Sequence, residues 1–141
     1  MKLPFIALAA VAAALLAEPA EAQPEIVTMQ LDSAVVLMAG GGFAPSDEAV
    51  MGRLSQGADE EFELELDGGE YLVVGVCDGH CTDLDLVLTN GGGDEVEADR
   101  ELDDIPMLSI QGQRGTFVLS VQMATCSSSG CHYGVRVFHK R

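Results

Sequence analysis

Residues 61–76 read EFELELDGGEYLVVGV. Phe62, Leu64 and Leu66 fall on one side of an extended chain, and Glu61, Glu63 and Glu65 fall on the other. This period of two marks a half-buried strand with a charged outer face. Asp67-Gly68-Gly69 supplies turn chemistry, and YLVVGV is a second, more buried strand. The same alternation continues downstream. In DLDLVL (83–88), Leu84, Leu86 and Leu88 oppose Asp83 and Asp85, and TNGGGDE (89–95) is a loop with hairpin chemistry. VEAD (96–99) and PMLSIQG (106–112) are short strands, with Pro106 at an edge or a strand start. GTFVLSVQMA (115–124) points Phe117, Leu119, Val121 and Met123 inward, and YGVRVFHK (133–140) closes with Tyr133, Val135 and Val137 on one face.

Upstream of about residue 50 the period is 3.6. Val27, Leu31, Ala34, Val35 and Met38 form one helical stripe, Pro24 suits a first turn, and Gly40-Gly41-Gly42 is a stop. The spacing predicts a helix over roughly residues 25–39, docked by that stripe. One helix followed by short strands, with turn signals about every 8–12 residues, predicts an all-β chain. The expected architecture is a jelly-roll or Greek-key β-sandwich of about eight strands with one N-terminal helix. Residues 23–45 are read as the helix and a Gly-rich connector, and 46–141 as one sandwich domain.

Residues 1–22 read as a cleavable export signal. Met1-Lys2 is the positive start, an apolar run extends from Leu3 to Ala17, and Ala20-Glu21-Ala22 is a small-x-small cleavage site. The run falls short of the roughly 18 apolar residues that a membrane span needs. Cleavage after Ala22, a secreted or periplasmic location and no membrane insertion after cleavage are therefore expected. With 23 acidic against 7 basic residues the formal net charge is −16. Such a charge repels phosphate backbones and anionic lipid, so nucleic acid is excluded as a partner class.

Four cysteines in an exported chain predict two disulfides. Of the three possible pairings, the local one is expected: Cys77 with Cys81, closing a short Gly-containing hairpin loop, and Cys126 with Cys131 in the equivalent place between the last two strands. The alternative use of Cys77, His80, Cys81, Cys126, Cys131 and His132 is a tetrahedral zinc site. Its C-x3-C and C-x4-C spacings are not those of the usual zinc knuckles, and an oxidising compartment disfavours free thiolates. Calcium is the more credible cation, because Asp78, Asp83, Asp85, Asp94, Asp99, Asp103 and Asp104 are hard oxygen ligands near loop ends. The competing role for Asp83 and Asp85 is hydrogen bonding to loop amides.

The segments GEYLVVGVCD, TDLDLVL, GGDEVEAD, DDIPMLSI, GTFVLSVQM and CHYGVRV together resemble the bacterial pre-peptidase C-terminal domain family. The resemblance spans roughly residues 50–139 and excludes the helix. Tyr71, Asp83-Leu84-Asp85-Leu86, Gly91 to Gly93, Asp99 and Gly115 to Leu119 match its motif positions. It implies a small jelly-roll sandwich. No protease precedes the domain in this chain, so it is most similar to stand-alone members with a signal peptide, which carry no catalytic role over.

A Ser/His/Asp set can be written from Ser127 to Ser129, His132 and an aspartate, but no G-x-S-x-G elbow is present. Carbohydrate stacking is disfavoured, because the chain has no Trp and its two tyrosines, Tyr71 and Tyr133, fit the core. The expectation is a non-catalytic binding or accessory module for a protein or envelope partner, with calcium binding as the alternative and a small hydrolase behind it. Glu60, Glu61, Glu63 and Glu65 are an acidic face that could meet a basic partner.

Overall fold

The computed structural model describes residues 22–141. The expected export signal lies outside them except for Ala22, where the helix begins. Helix α1 spans Ala22–Ala39 and is followed by nine strands. These are β1 Phe43–Pro45, β2 Val50–Leu54, β3 Asp59–Asp67, β4 Glu70–Cys77, β5 Cys81–Thr89, β6 Glu95–Asp99, β7 Met107–Gln111, β8 Arg114–Cys126 and β9 Cys131–Lys140. All pairs are antiparallel and fall into two sheets. In sheet A the order is β1-β9-β4-β7, and β2 also pairs with β9. Sheet B has the order β3-β8-β5-β6. Apart from the β5–β6 hairpin, successive strands from β2 onward change sheet at every connection. This is the wiring of an eight-stranded jelly roll whose first edge strand is broken into β1 and β2.

The main core lies between the sheets. Leu64 and Leu66 of β3 meet Leu84, Leu86 and Leu88 of β5 there, with Phe117, Leu119, Val121 and Met123 of β8 and Tyr133 and Val135 of β9. Each side chain lies on the face that the period-two pattern assigns to it. The YLVVGV strand reads as continuously apolar because β4 is covered on both sides. Tyr71 and Val73 enter the main core, while Val74 and Val76 meet Val27, Leu31 and Ala34 of α1, together with Phe138, on the outer face of sheet A. The predicted helical stripe is the docked one, and Val35 and Met38 pack at its margin. Gly134 marks the closest approach. A Cβ there would lie 2.7 Å from both Leu31 Cδ1 and Val27 Cγ1.

Three expectations need correction. The connector is not all loop: after Gly42 turns the chain at φ 85°, Phe43–Pro45 pairs with Phe138 to Lys140 as β1. Cys77–Cys81 is not a hairpin loop, because β4 and β5 belong to different sheets; it is a corner between layers. Glu60 does not share the outer acidic face with Glu61, Glu63 and Glu65. It has the parity of Phe62 and Leu64, and its carboxylate accepts the Tyr133 hydroxyl. That acceptor and burial both raise the Tyr133 pKa, burial more strongly.

Candidate functional site

The two disulfides form as Cys77–Cys81 and Cys126–Cys131, and no free cysteine remains for a metal. Both close corners at the same end of the sandwich: one carries the chain from sheet A to sheet B, the other returns it from B to A. Cys81 stands opposite Cys126 in the β5–β8 ladder, so the corners are neighbours. Asp78 joins them. It is 2% exposed. Its Oδ1 accepts the His80 N–H at 3.0 Å, and its Oδ2 accepts the His132 N–H at 2.7 Å with His132 Nδ1 at 3.3 Å. Ser127 adds two bonds to the His80 carbonyl, through its N–H at 2.9 Å and its hydroxyl at 3.2 Å. Gln23 at the start of α1 accepts the Gly79 N–H at 3.2 Å. The stretch that mixes cysteine, histidine and aspartate is thus a stapled corner held by a buried carboxylate.

The serine–histidine–aspartate set is only partly assembled here. Asp78 does pair with His132, but the neighbouring hydroxyls donate elsewhere, Ser127 to the His80 carbonyl and Ser128 to the Gly130 carbonyl at 2.6 Å.

The candidate calcium ligands lie at the β4–β5 corner (Asp78), on β5 (Asp83 and Asp85), in the β5–β6 turn (Asp94), at the end of β6 (Asp99) and in the β6–β7 loop (Asp103 and Asp104). Asp99 accepts the N–H groups of Glu101 and Met107 at 3.1 and 2.9 Å, and Asp103 accepts that of Ile105 at 3.0 Å. Loop amides are therefore held by Asp78, Asp99 and Asp103. At Asp83 and Asp85 the Oδ1 atoms are buried without a hydrogen-bond partner. Asp83 is 8% exposed. Burial first, and then the Asp83 charge, raises the Asp85 pKa; Arg100 opposes this. Asp104 is exposed on the β6–β7 loop. Among the described residues, no group of three or more His, Cys, Asp or Glu side chains is placed to hold a metal ion.

A second site, absent from the sequence reading, lies at the open edge of the sandwich. The edge of sheet A is interrupted between Pro45 and Val50, where Ser46 alone bonds the Val137 carbonyl, through its N–H at 3.0 Å and its hydroxyl at 3.2 Å. The interruption exposes a cleft of about 250 Å³ reaching the main core. It is lined by Val50, Phe62, Leu64, Leu119, Val135 and Val137 together with Asp47, Glu48 and Glu63, and its lining holds no basic residue. The three carboxylates are exposed. Four separate segments contribute to this cleft, so no local motif announces it. The one available signal is Phe62 and Val137, large apolar residues at strand positions that the sheets leave only half-buried.

Further apolar exposure lies on α1, at Met29, Val36 and Leu37, on β2 at Met51, and around the β6–β7 loop at Leu102, Ile105 and Met107. Among the described residues no helix is long and apolar enough to cross a membrane. No protein-family model matches the chain, and no curated protein is similar to it.

Proposed function

We propose that the protein is an exported, non-catalytic binding or accessory module of the pre-peptidase C-terminal type, acting through the inter-sheet cleft at its open edge. The cleft is the observation that carries this reading. Protein surfaces seldom leave an apolar opening into the core beside unpaired charges unless something fills it. Two disulfides suit the oxidising compartment that the export signal implies. To test this, a photoreactive crosslinker is placed at exposed Glu48 and, as a control, at exposed Gly91 on the β5–β6 hairpin. The protein is then incubated with secreted and periplasmic extract. A partner crosslinked from position 48 and not from 91 supports the module. Equal or absent crosslinking from both positions rejects it.

A calcium-binding envelope protein is the second reading, supported by the unpartnered oxygens of Asp83 and Asp85. Backbone carbonyls and water would have to complete such a shell, as calcium permits. A melting temperature raised in millimolar calcium relative to EDTA, and no longer raised in Asp83→Asn, supports it; identical melts remove it.

A further inference from the structure

We infer that the occupant of the cleft is a lysine or arginine side chain, flanked by aliphatic residues, on an extended basic segment of a partner protein. The inference rests on the binding-module reading and names its ligand class. Its first ground is size. About 250 Å³ accommodates one or two side chains and no folded element. Next comes the chemistry of the lining, which combines aliphatic and aromatic residues with three exposed acidic ones. Val50, Phe62, Leu64, Leu119, Val135 and Val137 supply the apolar part of the lining, with exposed Asp47 and Glu48 on the edge interruption and exposed Glu63 on β3 beside it.

Lysine and arginine have the matching combination, an apolar stem ending in a cationic head. A purely aliphatic ligand would leave the three carboxylates unused, and an anionic one would be repelled by them. Among the described residues, no hydrogen bond or ion pair engages any of the three, so a cationic head meets free acceptors. The third ground is the field of the whole chain. A formal charge of −16 draws cationic segments toward the surface before any contact forms. Finally, the broken edge strand leaves an opening. Residues 46–49 leave the ladder between Pro45, paired with Phe138, and Val50, paired with Val135, so the side chain of a segment crossing this edge can enter the core there.

The test is titration of the isotopically labelled protein, residues 23–141, with three capped peptides followed by NMR. One carries a Leu-Lys-Leu centre, one Leu-Glu-Leu, and one Gly-Lys-Gly. The expected result is saturable binding of the first alone, with shifts concentrated at Val50, Phe62, Leu119 and Val137. Affinity should fall about fivefold or more when Asp47→Asn and Glu63→Gln are combined, since each exposed pair contributes modestly. Both acidic residues are exposed, and their neutralisation leaves the core intact; a second variant, Val137→Met, narrows the cleft without altering charge and should also weaken binding.

Equal binding of the Gly-Lys-Gly peptide would mean attraction by net charge alone and overturn the inference. Unchanged affinity in both variants, or shifts centred elsewhere, would overturn it equally. No binding of any peptide rejects this ligand class while leaving the module reading to the crosslinking result, where a partner captured from position 48 would then have to be non-basic.

Discussion

Gly134 shows how much one missing methyl group can decide. Its position opposite Met51 and Val76, beneath Val27 and Leu31, lets α1 lie directly on the β9 backbone. Gly134→Ala should lift the helix and destabilise the protein by about 1–3 kcal/mol, the usual range for overpacking. Gly91→Ala, with open space around its Cβ, serves as the neutral control in the same urea titration. Asp85 makes a prediction in pH. Its folded-state pKa is raised, so the native state holds the proton more tightly than the unfolded chain does. Stability is therefore lost as pH rises from the ordinary aspartate value through the raised one. Asp85→Asn removes the buried charge and should raise the melting temperature at pH 7, with the gain shrinking toward pH 3. A gain independent of pH would show that the charge is not its cause.

At the scale of elements, the two corners should behave as clamps more than as supports of the fold. Each disulfide closes a short loop, worth on the order of 2 kcal/mol by loop entropy. Reduction should lower the melting temperature while preserving the β-sheet circular dichroism of the native protein. Asp78→Ala should cost about 1–3 kcal/mol even with the disulfides intact, because it strands the His80 and His132 amides. Much of this level was legible in the chain. Seven strands announce themselves, most by alternation and β4 by its continuous apolar run, and the β5–β6 hairpin by Asn90, whose side chain accepts the Gly92 and Asp94 N–H groups. The local cysteine pairing was legible because each loop is short and contains glycine. β2 was hidden for a particular reason. Val50, Gly52 and Leu54 share its inner parity, but a Cβ on Gly52 would stand 2.8 Å from the Tyr133 ring. The position that should carry the middle apolar residue of the pattern is obliged to be glycine, and the alternation vanishes.

Over the whole molecule, charge is the dominant tension. The excess of carboxylates repels itself in the compact state, so sodium chloride at about 0.5 M should raise the melting temperature by screening. A fall with added salt would mean that the ion pairs Lys140–Glu70 and Arg100–Glu95 outweigh the repulsion. The cleft was invisible to sequence reading for a reason of the same scale. Positions 47–50, 62–64, 119 and 135–137 share no local pattern and become neighbours only after β2 and β3 take the facing edges of the two layers, at one side of the sandwich.

The placement of β9 has a consequence in time. It is the last strand of the chain, yet β1, β2 and β4 all hydrogen-bond to it, and α1 rests on it. The β4–β7 pair can form earlier, but sheet A as a whole cannot be completed until residues 131–140 have been made, so a chain emerging from the ribosome cannot finish this layer before β9 is out. Its pairings are also distant in sequence, which slows closure further. On the export route proposed above, a pathway that threads unfolded polypeptide would receive this one with sheet A still open, and the corners would oxidise on the far side, after β9 arrived to give them their shape.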